Sequence, residues 1–187
     1  MTGGVVLAGG RSTRMGADKA MLDWHGAPLV EHVASIVSKA VDGRVVVVAA
    51  AGQVLPEGMW VVRDREPARG PLMGLLTGLE ALAGEEETAF VCAVDLPFLT
   101  TEAIRRPLGA LTCGAQAAVP IVAGVRQPLA AAYSLEVAGY AEARLAEDRR
   151  SLMGLLEDLR VVDVPADDLA AQLRDCLLYT SDAADEL

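Results

Sequence analysis

A short apolar run, Val5-Val6-Leu7-Ala8, stops at the glycine pair Gly9-Gly10 and gives way to a loop carrying Arg11, Arg14 and Lys19. No other stretch constrains the chain so tightly. The β-branched residues ask for a buried strand, and the glycines let backbone pass close to a neighbour or ligand. A hydrophobic core has no use for cations placed directly after such a strand. A polyphosphate does, because backbone amides and cations together neutralise its charge. The spacing excludes two familiar phosphate loops. A Walker A loop puts four residues between its glycines, whereas five separate Gly10 from Gly16, and Ala17 stands where the lysine would be. The dinucleotide fingerprint, counted from Gly9, would need glycines where Arg11 and Arg14 stand.

The surroundings make the cations local. The 187 residues carry 16 Lys and Arg against 26 Asp and Glu, a net charge of −10. So acidic a chain has no basic face for nucleic acid, and 4% aromatic residues offer few stacking platforms. No apolar run reaches membrane-spanning length, and the N-terminus passes straight into a strand without a leader pattern. Cys92, Cys113 and Cys176 are scattered, without a CxxC pair, and read as isolated buried thiols in a reducing, cytoplasmic setting. His25 and His32 have no Ser or Cys partner in a recognisable hydrolytic arrangement. Trp24 and Trp60 read as core or rim residues. Glu85-Glu86-Glu87 reads as a solvated loop.

Along the chain, β-branched runs alternate with helical periodicity, the pattern of βαβ units and a mainly parallel sheet. Strands are expected at Gly4–Ala8, Arg44–Ala50, Met59–Arg63 and Thr88–Val94, with helices at Pro28–Ala40, Pro71–Leu82 and Thr101–Leu111. The first helix should turn Leu29, Val33, Ile36, Val37 and Ala40 inward. Ala115–Val122 and Gln127–Tyr133 read as strands joined by the short turn Ala123-Gly124-Val125-Arg126, which implies antiparallel pairing and a mixed sheet. Helices at Leu135–Ala146 and Ser151–Leu159 and a strand at Val161–Val164 complete the reading. Residues 1–174 are expected to form a single domain, and 175–187 to be a non-native or disordered tail.

Ligands of open parallel sheets bind beyond the carboxyl ends of the strands. Three features fall there: the glycine-cation loop, Asp64 with the segment Gly70-Pro71-Leu72-Met73-Gly74, and Asp95-Leu96-Pro97. Asp95 ends a buried strand, where a carboxylate is poorly placed for packing but suited to hold Mg²⁺ beside phosphates; as an Asp-x-Pro turn former it would cap the next helix. Asp64, flanked by Arg63 and Arg65, is either a surface ion pair or a nucleotide-facing group. The Gly70–Gly74 segment either admits a base or ribose to close backbone contact or simply starts a helix.

Taken together, Leu7-Ala8-Gly9-Gly10-x-Ser12-x-Arg14-Met15-Gly16-x-x-Lys19, Gly70-Pro71-Leu72-x-Gly74 and Asp95-x-Pro97 resemble a nucleotidyltransferase family, in particular its molybdenum cofactor guanylyltransferases. The resemblance covers roughly the first 130 residues. It implies a three-layer α/β/α Rossmann-like fold, GTP and molybdopterin as substrates and Mg²⁺ as cofactor; transient contact with cofactor-receiving apo-enzymes is compatible with that activity, though no motif marks a partner surface. By that carry-over Leu7, Ala8, Gly9, Lys19 and Asp64 would bind GTP, and Asp95 both GTP and the metal. Gly10, Gly70, Pro71 and Leu72 join the nucleotide set, and Arg14, Lys19 and Asp95 are the expected catalytic residues. Arg126-Gln127-Pro128 matches a segment associated with the acceptor. Where some relatives carry an Asn after the second strand, this chain has Ala49 or Ala50. A CTP-using relative, another small-molecule nucleotidyltransferase and a non-catalytic nucleotide-binding module are the alternatives.

Overall fold

A computed structural model of the chain describes residues 1–9, 18–64, 69–112 and 114–173. Gly10, Arg14, Cys113, Cys176 and the tail expected at 175–187 lie outside the described residues. Within them, a mixed sheet is sandwiched between two helical layers, the expected α/β/α arrangement. Its strands are β1 (Thr2–Leu7), β4 (Val45–Ala49), β5 (Val61–Arg63), β6 (Thr88–Ala93), β7 (Ala117–Val122), β8 (Val125–Arg126), β9 (Ala130–Ser134) and β10 (Val161–Pro165). A small separate hairpin comprises β2 (Asp23–Trp24) and β3 (Ala27–Pro28). The helices are α1 (Leu29–Ala40), α2 (Pro71–Leu82), α3 (Thr101–Ala110), α4 (Val137–Ala146) and α5 (Leu152–Glu157).

The sheet order is β10-β7-β9-β6-β1-β4-β5, with β8 added to β7. β1 pairs in parallel with both β4 and β6, and β4 with β5. β9 runs antiparallel to β6 and β7, and β10 pairs in parallel with β7. Both faces of the central strands are covered, which is why β1 and β4 read as unbroken valines rather than an alternation. On one face Val5, Val46, Val48 and Val91 pack against Leu72, Leu75 and Leu79 of α2, with Leu145 of α4 and Leu155 of α5 in the same core. On the other, Val6, Val47, Phe90 and Cys92 pack with Leu29, Val33 and Val37 of α1 and Ile104 of α3.

Most elements lie where periodicity puts them, and the differences have local causes. In α1 Val30 is fully buried, while Ile36 and Ala40 are only partly covered. α4 starts two residues later than expected, because the chain enters it through a tighter turn in which the Ala138 and Gly139 amides bond to Leu135 O and Glu136 O at 3.1 and 3.2 Å. The β2–β3 hairpin turns at His25-Gly26, where Asp23 Oδ1 accepts from the Gly26 amide at 2.8 Å. The Glu85-Glu86-Glu87 expectation is corrected at its centre. Glu86 is buried and takes three hydrogen bonds from Arg44, through its amide, Nε and Nη2, each 3.1 Å. Arg44 in turn lies over the Trp60 ring, 4.6 Å from its centroid, so the acid closes a cation–π clasp.

Candidate active site

The site grows from the pairing of β1 with β6. Leu7 stands opposite Ala93, and the Val94 amide donates to Leu7 O at 3.0 Å. The chain leaving β1 and the chain leaving β6 therefore start from adjacent points on one rim of the sheet. Lys19 and Asp95 meet there: Lys19 Nζ donates to Asp95 Oδ2 at 2.9 Å. Their side chains are 20% and 18% exposed, so the pair is sheltered but open to a ligand. Lys19 begins a 3-10 turn, Lys19–Met21, capped by Asp18, whose Oδ1 accepts from the Ala20 amide at 3.0 Å. The Asp95 loop is tethered from the other side, where His32 Nε2 and Pro97 O lie 2.9 Å apart. Trp24 meets Phe98 edge-on with centroids 5.4 Å apart.

Asp64 follows β5 on the same rim. Its amide bonds to Ala49 O at 3.0 Å, and its Oδ1 is buried with no hydrogen-bond partner among the described residues. Burial pushes its carboxyl above the usual carboxylate range. Arg63 turns elsewhere; its guanidinium reaches Ala50 O at 2.9 Å and Gln53 O at 2.7 Å. A buried oxygen without a partner is costly, and such a group at the end of a strand is suited to a ligand's donor. Gly70 caps α2 at φ 78°, a conformation that favours glycine, and Pro71 opens the helix. Gly74, one turn on, brings α2 against β5: a Cβ there would lie 3.8 Å from Asp64 Oδ1 and 3.2 Å from Leu7 Cδ2.

Several expected ligand residues present only backbone, or less. Leu72 is fully buried, and Leu7 and Ala8 are 7% and 5% exposed, so none can offer a side chain to a nucleotide. The expectation that amides around Gly9 hold phosphates is revised at Gly9 itself. Its N–H donates to Val48 O at 3.0 Å, an oxygen that also takes the Ala8 amide at 2.8 Å. Gly9 serves close approach instead, since a Cβ there would sit 2.9 Å from the Ala50 nitrogen. Arg126 is turned toward β10, where Asp163 takes its Nε and Nη2 at 2.7 and 2.9 Å and raises the guanidinium's pKa. The segment it opens does reach the rim: Leu129 O accepts from the Ala93 amide, 3.0 Å, two residues before Asp95. A separate cavity of about 430 Å³ lies between α2 and the end of α4, lined by Arg69, Met73, Glu142 and Asp148 among others.

Gln53 was invisible to sequence reasoning, because a lone glutamine in a turn carries no motif. Its carboxamide nevertheless reaches Ala8, Ala50 and Asp18. As for metal, the described residues hold no group of three or more His, Cys, Asp or Glu able to cage an ion. Asp95 is a carboxylate with an oxygen to offer a cation, and its Oδ2 already accepts from the Lys19 ammonium at 2.9 Å. None of the helices among the described residues is long and apolar enough to cross a membrane.

Comparison with known proteins gives the family. The profile of the MobA-like NTP transferase domain matches residues 4–164. The probable molybdenum cofactor guanylyltransferase of Bacillus cereus strain AH820 is 31% identical over 173 residues, covering 90% of this chain and 86% of that protein. That of Mycobacterium bovis strain BCG / Pasteur 1173P2 is 40% identical over 162 residues, 82% of this chain and 78% of its own length. Among solved structures, molybdopterin-guanine dinucleotide biosynthesis protein A from Archaeoglobus fulgidus superposes with a TM-score of 0.77 at 21% identity, covering 99% of this chain and 100% of that one. With fold and sequence in agreement, this chain is a nucleotidyltransferase and belongs to the MobA-like NTP transferase family.

Proposed function

We propose that this chain transfers GMP from GTP to molybdopterin-bound molybdenum cofactor, releasing pyrophosphate, with Mg²⁺ as its metal and the cytoplasm as its location. The observation that carries the reading is the meeting of Lys19 and Asp95 at 2.9 Å, from the loops after β1 and β6, in a chain of this family. The named relatives supply the substrate class.

In this mechanism a phosphate oxygen of the acceptor attacks the α-phosphorus of GTP. The new O–P bond forms as the bond between the α-phosphorus and its bridging oxygen to the β-phosphorus breaks, and that oxygen leaves with pyrophosphate. A phosphate monoester is already nucleophilic at neutral pH, so the protein needs no strong base. Catalysis rests on positioning and on neutralising charge. Lys19 stabilises the triphosphate and the departing pyrophosphate, with Arg14 as its expected companion. Asp95 would hold Mg²⁺, which when bound offsets negative charge on the phosphates. Asp64 gives its unpartnered oxygen to a donor of the nucleotide, and Gly70 and Pro71 border that position through backbone. The Arg126-Gln127-Pro128 segment borders the acceptor side.

Pyrophosphate release measured with GTP, CTP, ATP and UTP, with and without molybdopterin, tests the reading. Release specific to GTP and dependent on the pterin is expected. A preference for CTP, or release indifferent to the pterin, would overturn it.

A further inference from the structure

We propose that Gln53 is a positioning residue for the triphosphate end of the site, holding Lys19 toward Asp95 by fastening Asp18 to the ends of two strands. The inference rests on the reading of Lys19 as a triphosphate ligand. A carboxamide has one acceptor oxygen and two N–H donors, and here all are in use. Oε1 accepts from the Ala50 amide at 2.9 Å. Nε2 donates to Ala8 O at 3.0 Å and across the Asp18 carboxylate, 2.9 Å to each oxygen. Ala8 follows directly on β1, Ala50 follows directly on β4, and Asp18 caps the turn that starts with Lys19. One side chain therefore joins the backbone at Ala8 to Asp18, the residue before Lys19.

The glutamine is itself braced. Arg63 of β5 donates to Gln53 O and Ala50 O, and the Gln53 amide closes the turn on Ala50 O at 3.2 Å. Strain or motion in this bridge passes to Asp18, and through it to the backbone from which Lys19 departs. A lysine is a point charge on a flexible four-carbon stem, so the direction of its base decides how often the ammonium lies where phosphate arrives. Apparent affinity falls in proportion to the fraction of molecules holding the competent arrangement. Chemistry also fixes the residue type. A glutamate at 53 would face the Asp18 carboxylate with a second negative charge and would leave Ala8 O without its donor.

The test is GTP binding by titration calorimetry on the full chain in the presence of Mg²⁺, with thermal melting on the same samples. Gln53→Ala is expected to weaken GTP binding about tenfold, on the population argument above, with little change in melting temperature. Lys19→Met should weaken it at least as much, and adding Gln53→Ala to Lys19→Met should cost little more. Gln53→Glu should be worse than Gln53→Ala. Gln53→Glu with Asp18→Asn should recover part of the loss, because amide and carboxylate exchange places while the asparagine oxygen still caps the Ala20 amide. Equal losses from Gln53→Ala in the wild-type and Lys19→Met backgrounds would overturn the proposal, as would no loss in wild type. Unchanged GTP binding by Lys19→Met would instead overturn the reading of the site beneath it. If Gln53→Ala melts early, the glutamate variant and its rescue decide the matter: absence of rescue refutes the link through Asp18.

Discussion

Gly9→Ala is the most direct probe of how the site is built. The added methyl would lie 2.9 Å from the Ala50 nitrogen, 3.3 Å from the Ala49 carbonyl carbon and 3.5 Å from Ala50 Cα. All three are backbone atoms, so no side chain can rotate away. Restoring ordinary contact means moving the end of β4 from the end of β1 by about half an ångström, through a region packed at crystal-like density. That shift stretches the 3.0 Å bond from the Gly9 amide to Val48 O and disturbs the Gln53 contacts at Ala8 and Ala50. Overpacking of this kind costs about 1–3 kcal/mol, and a weakened hydrogen bond about 1 more. At about 2–4 °C per kcal/mol for a chain of this size, the melting temperature should fall by about 4–16 °C. GTP binding should weaken with it, because the displaced backbone borders the Lys19 turn. Gly109→Ala is the control: it lies in α3, has no atoms within 4 Å of its would-be Cβ and no positive φ, and should melt at or slightly above wild type. Calorimetric melting and GTP titration of the two variants read the outcome. Wild-type stability and affinity in Gly9→Ala would refute the claim that this glycine exists for close strand approach.

Asp95→Ala should abolish pyrophosphate release while circular dichroism and melting stay near wild type; retained turnover would remove the carboxylate from the chemistry. Asp64→Asn should melt above wild type by about 2 °C, since it removes a charge whose buried oxygen has no partner, yet bind GTP less well. A variant that is neither more stable nor weaker in binding would show that Asp64 faces no ligand. Burial raises the Asp64 carboxyl, so in wild type its ionisation works against the fold as pH rises through that raised value, and the asparagine advantage should vanish below about pH 4, where the unfolded aspartate also takes up its proton. Glu86 has the opposite sign. The Arg44 hydrogen bond holds its carboxyl below the usual range, so its contribution is present above about pH 4.3 and is lost as pH falls through the lowered value. Melting between pH 6 and 3 should therefore fall more steeply for wild type than for Glu86→Gln, and parallel curves would contradict that linkage.

The fold was legible where burial imposes a period or removes one. The valine runs of β1 and β4 have no polar alternation because helices cover both faces, and that alone marks them as central parallel strands. α2 is apolar nearly all round, from Leu72 to Leu79, because the sheet and α4 cover it from two sides. The β2–β3 hairpin was not legible: two-residue strands have no period, and its turn depends on Asp23 bonding back to Gly26. Of the site, Lys19 and Asp95 could be read because each charge follows directly on an apolar strand or its loop. Glu86 could not be read as buried, since its partner Arg44 stands 42 residues away and acidic triplets are ordinarily solvated. Gln53 was equally hidden, because its role lies in which three backbone and side-chain groups surround one amide.

The reversed strand β9 has a consequence for how two substrates can share one molecule. It separates β6-β1-β4-β5 from the β7–β10 pair, yet both blocks point their strand ends the same way. The boundary falls at β6, beside Asp95, so reactants docking on either flank would approach each other head-on there. Loops of the outer block can lengthen or change composition without shifting the hydrogen-bond register of β6, β1, β4 and β5. Each flank can therefore change at its loops while the strand register of the other stays as it is.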